Sequence, residues 1–249
     1  MYKIILIRHG ESLWNKKGLF TGWTDVNLSS QGVREAQAAG RVIKKNKLSF
    51  DLAFTSLLKR ATRTLKIVLD ELQQPKIPVI VDWRLNERHY GNLQGLNKQQ
   101  MVEKFDEKQV LIWRRSYDVR PPKIEATNKY NQKKEARYQN IPVPEAESLK
   151  DVVARVIPFW REKVVPEIKN GKKIIIAASG NSLRALIKYL DKVSKQAIVD
   201  LNIPTGIPLV YELDAKLRPI KHYYLADQKK LQAAIEAVKK QGNKVIGNK

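Results

Sequence analysis

The sequence predicts an α/β fold in which a mostly parallel sheet lies between two layers of helices. Three observations predict it. Strand-like and helix-like segments alternate along most of the chain. Two of the strand candidates, Ile4-Ile5-Leu6-Ile7 and Ile174-Ile175-Ile176, are unbroken apolar runs, the pattern of strands covered on both faces. The chain has 249 residues, 43% of them hydrophobic, which suffices for a real core and sits near 1.7 times the ~150-residue domain prior.

The elements follow in order. Residues 2–7 read as a strand. Gln31 to Lys45 repeats apolar residues at helical spacing through Val33, Ala36, Ala39, Val42 and Ile43. Residues 51–55 form a short strand. Residues 57–72 form a helix with Leu58, Leu65, Val68, Leu69 and Leu72 on one side. Ile77 to Val81 is a strand that Pro78 confines to an edge or a strand start. Residues 118–146 are polar and carry Pro121, Pro122, Pro142 and Pro144, the mark of an inserted excursion. Ser148 to Ile168 is helical with interruptions at Pro158 and Pro166. Lys173 to Ala178 is a strand, and Ser182 to Leu190 a helix after Gly180-Asn181. Val210 to Leu213 and His222 to Leu225 are late strands, and 228–241 is an amphipathic helix. No internal repeat is present.

Composition narrows the function. There are no cysteines, so disulfides and Cys-zinc sites are excluded. No apolar run reaches the ~18 residues of a membrane span, and the N-terminus lacks a signal-peptide pattern, so the expectation is a cytoplasmic protein without a membrane partner. Lys+Arg number 47 and Asp+Glu 25, a net charge of +22. Such an excess attracts anions, whether polymeric or small. Much of it has a plain reading as wet helix faces, as in Lys44-Lys45 and Lys239-Lys240. No RNP-like aromatic motif, zinc finger or helix-turn-helix signature accompanies it, which argues against nucleic acid. No GxxxxGK[ST] loop is present, which argues against a nucleotide kinase.

Chemistry concentrates where the first strand ends in Arg8-His9-Gly10. The carboxyl edge of such a sheet is the usual ligand edge. An imidazole there can act as a nucleophile, and a guanidinium can grip two phosphate oxygens. Gly10 allows a sharp turn and a close approach to a ligand. Arg60, Arg114 and Arg115 are further candidates for phosphate or carboxylate, although the last two also read as a solvated helix face. Glu87, between an apolar strand and an Arg-His-Tyr turn, reads equally as an ion-pair partner or as a proton donor and acceptor. Gly180-Asn181 opens a helix whose free amides can seat an anion, or else is a plain strand-to-helix turn.

Arg8-His9-Gly10-Glu11-Ser12, Asn15 and Phe20-Thr21-Gly22-Trp23 resemble the histidine phosphatase superfamily, and within it the 2,3-bisphosphoglycerate-dependent phosphoglycerate mutases. The likeness continues through Leu58-Lys59-Arg60-Ala61, Glu87-Arg88-His89-Tyr90-Gly91, Leu93-Gln94-Gly95, Trp113-Arg114-Arg115, Gly180-Asn181-Ser182-Leu183-Arg184 and Leu201-Asn202-Ile203-Pro204-Thr205-Gly206, and so covers nearly all of the chain as one domain. In that domain about 97–146 forms a lid-like insertion and about 228–249 a C-terminal tail. The resemblance implies a phosphoglycerate-mutase-like fold and interconversion of 3- and 2-phosphoglycerate, with 2,3-bisphosphoglycerate as phosphoryl primer and no metal. His9 would carry the phosphoryl group, Glu87 the hydroxyl proton, and Arg8 and Arg60 the phosphate. Ser12, Asn15, Thr21, Gly22, Arg88, Tyr90, Lys98, Arg114, Arg115, Gly180 and Asn181 would hold the small phosphorylated acid. The family is often dimeric or larger, which sets a homo-oligomer as the expectation. The long segment between Gly91 and Ser148 and the Arg114-Arg115 pair favour the mutase branch over a phosphatase of the same superfamily.

Two departures stand out. The family pattern has a second histidine directly before Gly180, and this chain has Ser179. Serine cannot become cationic and offers one neutral donor where imidazolium offers a charged one. Three accounts stay open: an introduced substitution, a natural paralogue with reduced activity that binds anions, or a water held by Ser179 that tilts transfer towards hydrolysis. The second departure is Asn128 to Tyr138, which lacks the family's usual lid sequence and suggests a looser lid.

Overall fold

In the computed structural model, which describes residues 1–239, six strands form one mixed sheet in the order β3-β2-β4-β1-β5-β6. The strands are β1 (Tyr2–Arg8), β2 (Leu52–Thr55), β3 (Val79–Val81), β4 (Ile174–Ala178), β5 (Leu209–Leu213) and β6 (Pro219–Tyr224). The first four strands run parallel, and β5 pairs antiparallel with both β1 and β6. The apolar runs occupy the centre: Ile4 to Ile7 and all of β4 are buried.

Alternation along these strands sorts the core into two halves. Ile4, Leu6, Phe54, Ile174 and Ile176 face α6 (Leu149–Phe159) and α8 (Gly180–Leu190). Ile5, Ile7, Ala53, Ile175 and Ala177 face α2 (Ser30–Lys45) and α3 (Lys59–Glu71). Side chains of period two must part in this way, so covering both faces yields three layers. At one edge, β3 is shorter than the sequence suggests. Pro78 lacks a ladder donor, and all three residues of β3 are exposed.

The structure corrects several boundaries. Pro158 and Pro166 do not divide the helical run. Trp160–Val164 forms a π-helical turn between α6 and α7 (Val165–Lys169); Pro158 stays inside α6, and Pro166 sits in the first turn of α7, where a missing amide is tolerated. Helix α8 begins two residues earlier than the periodicity indicates. Three helices carry too little periodicity to be read: α1 (Leu13–Lys16), α4 (Lys98–Phe105) and α5 (Glu107–Arg115). The last helix, α9, is described over Gln228–Lys239, and residues 240–241 of the expected helix lie outside the described residues. No helix among the described residues is long and apolar enough to cross a membrane.

The insertion is not loose. Gln132 is fully buried and accepts from Gln94 Nε2 at 3.0 Å, and its Oε1 lies 2.9 Å from His89 Nε2. Tyr138 packs on Trp23, and Arg137 pairs with Asp25 at 2.8 Å. The segment is tied down by residues unlike those of the familiar lid sequence.

Candidate active site

At the carboxyl edge of the sheet, β1 and β4 end side by side. Arg8 is in register with Ala178, and His9 N donates to Ala178 O at 3.1 Å. The next residues, His9 and Ser179, are therefore neighbours. Gly10 does not supply a left-handed turn. It packs against the N-terminus of α2, where a Cβ would overlap the Gly32 carbonyl oxygen. The amide of Gly10 donates to Thr64 Oγ1 on α3 at 3.0 Å, so both helices of that layer fix the His9 loop.

The imidazole of His9 is buried. Arg60 Nε lies 3.1 Å from Nε2, and the Gly10 carbonyl oxygen 2.7 Å from Nδ1. Arginine can only donate, so Nε2 is the acceptor and Nδ1 carries the proton. Burial, then the cations Arg60 and Arg8, hold the imidazole well below its ordinary pKa. A neutral ring with a lone pair on Nε2 is the form that attacks phosphorus.

The ring lies in the wall of a cavity that opens at this edge of the sheet. Cations from five elements line it: Arg8 from β1, Arg60 from α3, Lys98 from α4, Arg114 and Arg115 from α5, and Arg184 from α8. Among the described residues, Glu87 is the one carboxylate in the wall. Burial first, then mutual repulsion, lowers these cations: Arg60 and Arg115 to about 10, Arg184 to about 9 and Lys98 to about 7. So many desolvated donors around one acid make a seat for a small polyanion.

Glu87 follows a 3₁₀ turn at Trp83–Leu85 rather than a strand. Its Oε1 accepts from Asn181 Nδ2 at 2.6 Å and from the Arg88 amide at 2.7 Å. Tyr90 Oη accepts from Arg88 at 3.2 Å. Burial is the largest influence and raises the phenol, yet the Arg88 charge, its hydrogen bond and the Arg114 charge together outweigh it and the net shift is downward. Asn15, Thr21, Gly22, Tyr90, Lys98, Gly180 and Asn181 all reach the cavity wall.

Two candidates do not reach it. Ser12 is fully buried and caps α1 in a reciprocal pair with Asn15. Arg88 lies behind the wall, where its Nη2 donates to the Arg114 carbonyl. That carbonyl is one of the four that a helix end leaves free, and a buried cation suits that end of α5. Sequence reasoning missed Arg184, which lies three residues after Asn181 and so on the same helix face. It also missed Val238 of α9, which no local pattern places at the cavity.

Ser179 stands at the N-cap of α8, wholly buried, and its Oγ has no hydrogen-bond partner. Arg8 Nε is likewise buried without one. His89 does not replace the missing histidine. Its Nδ1 accepts from the Gly91 amide, its Nε2 faces Gln132, and burial pushes it down to about 4. His222, on the edge strand β6, lies 3.3 Å from Asp191 at the end of α8.

Comparison with known proteins adds to this geometry. The signature of the histidine phosphatase superfamily (branch 1) matches residues 4–136. The 2,3-bisphosphoglycerate-dependent phosphoglycerate mutase of Borreliella burgdorferi strain ZS7 is 57% identical over 245 residues, spanning 97% of this chain and 99% of that protein. The protein of the same description from Borrelia garinii subsp. bavariensis matches to the same extent. Among solved structures, a mycobacterial glucosyl-3-phosphoglycerate phosphatase superposes with a TM-score of 0.67 at 24% identity, covering 90% of this chain and 97% of its own. The α-ribazole phosphatase of Shigella flexneri gives 0.64 at 22%, covering 88% and 94%. At such identities the two structures speak for the fold alone.

Proposed function

This chain belongs to the histidine phosphatase superfamily, and we propose that it works there as a 2,3-bisphosphoglycerate-dependent phosphoglycerate mutase slowed by Ser179. The observation that carries this reading is the neutral, buried His9, its Nε2 held by Arg60, in the wall of a cavity that six cations and Glu87 line among the described residues.

The residues present suit 2,3-bisphosphoglycerate. It carries two phosphates and a carboxylate, and the walls offer cations on several sides together with the free amides at the start of α8. When bound, it supplies the first phosphoryl group. His9 Nε2 would take that group as the phosphorus–oxygen ester bond breaks, and Glu87 would give its proton to the leaving oxygen. In the return step Glu87 takes the proton of an acceptor hydroxyl, whose oxygen bonds to phosphorus while the nitrogen–phosphorus bond breaks. Return to the other hydroxyl interconverts 3- and 2-phosphoglycerate. Arg8 and Arg60 flank the transferred group, while Lys98, Arg114 and Arg115 hold the remaining anionic groups.

Ser179 occupies the place from which a second imidazole would meet the phosphoryl oxygens. A lost donor aimed at developing charge costs about 10²–10³ in rate. We expect 2,3-bisphosphoglycerate to label His9, and Ser179→His to raise 3- to 2-phosphoglycerate turnover by about 10²–10³. Acid-labile label mapped to His9, together with coupled turnover assays of both chains, checks this. No label on His9 would overturn the nucleophile, and equal turnover in the two chains would overturn the impairment.

A further inference from the structure

Arg184 differs from the other cations of the cavity wall in what it grips. Its Nη1 donates to Asn181 Oδ1 at 2.8 Å, and its Nη2 donates to the carbonyls of Ile198 at 2.6 Å and Arg115 at 3.3 Å. The contact to Asn181 has a directional consequence. Arginine only donates and a carboxylate only accepts, so the amide of Asn181 has one orientation that serves both neighbours. With Oδ1 on Arg184, Nδ2 must point at Glu87, where it donates at 2.6 Å. Turned over, the amide would set an oxygen against the carboxylate and a nitrogen against the guanidinium. The third contact reaches the last carbonyl of α5, whose side chains Arg114 and Arg115 enter the cavity.

We propose that Arg184 is a positioning residue: it locks the Asn181 amide so that Glu87 always faces a donor, and it ties that carboxylate to the guanidinium pair at the end of α5. The inference rests on the acid–base role given to Glu87 above. The other groups that face Glu87 are Arg8 from β1, Arg60 from α3, Lys98 from α4 and Tyr90 from its own turn. The Asn181 backbone amide also faces it, 3.3 Å from Oε1, and Asn181 Nδ2 reaches Tyr90 Oη at 3.4 Å.

The test is the single-turnover rate of His9 phosphorylation at saturating 2,3-bisphosphoglycerate, read beside the affinity for that ligand. Arg184→Met keeps the bulk and removes the fork, and should slow the rate by about tenfold while affinity changes less. In an Asn181→Ala background the same change should slow it by less than a third as much, because the route through the amide is gone. Arg184→Lys keeps the charge without the fork. It should slow the rate in the same way, and it serves if the methionine variant is unstable. A packing role alone would lower the melting temperature and leave the rate per folded molecule where it is. No slowing, or equal slowing in both backgrounds, overturns the lock. Absence of phosphohistidine in the unchanged chain would instead overturn the mutase reading itself.

Discussion

Lys98 shows how a single residue reports on the ligand. Burial and the guanidinium groups of Arg114, Arg8 and Arg115 lower its amine to about 7, so near neutrality a large share of molecules carry it uncharged. A bound phosphoglycerate brings the opposite charge and favours the ammonium. Binding at pH 8 should therefore take up a proton, and affinity should weaken as pH climbs from 7 towards 10. Calorimetry in two buffers of different ionisation heat counts that proton, and Lys98→Met should abolish the uptake. His9 does not blur the count, since it lies well below 6.5 and stays neutral throughout this range. At this scale the cations of the site were legible because they stand in motifs. Ser12 and Arg88 lie outside the cavity lining, since a cap and a buried staple use the same residue types as a ligand contact. Arg184 was within reach of the i,i+3 rule once Asn181 had been chosen.

Elements bring these residues together through close backbone contact. The N-terminus of α2 touches the His9 loop main chain to main chain, and a Cβ at Gly32 would overlap Glu11 O. Backbone cannot swing aside as a side chain can. Gly32→Ala should cost about 1–3 kcal/mol, seen as a lower denaturant midpoint at unchanged m-value. It should also slow His9 phosphorylation, because the loop has no other direction in which to yield. Unchanged stability would show that the helix shifts freely. The strands and the long helices were legible because their apolar spacing is strong. Helices α4 and α5 were not: each is a short segment stabilised by its docking, and Asp106 between them adopts φ 71°, a turn that no local signal in Asp marks strongly. The π turn was hidden for the opposite reason, since two prolines signal a break and only the packed helix shows how the break is absorbed.

For the molecule as a whole, charge is the dominant property. A net +22 with six cations around one cavity makes a field that draws small anions inward. The association rate of 3-phosphoglycerate, followed by stopped flow, should fall steeply between 0.01 and 0.15 M salt, as the screening length shrinks from about 30 to about 8 Å. A flat dependence would mean that the lysines act only locally. Alternation and apolar runs made the layered architecture legible, but they do not give distance. That His9, Arg60, Glu87, Arg114 and Asn181 converge follows from strand order and helix docking. Helix α9 adds a practical consequence. It has one buried residue, Val238, which touches both the cavity and the groove beside α2. Because the chain contains no sulfhydryl of its own, a cysteine installed at 238 would be the sole target for a maleimide dye. That makes this position a ready attachment point for watching, by fluorescence, how often the mouth of the cavity opens.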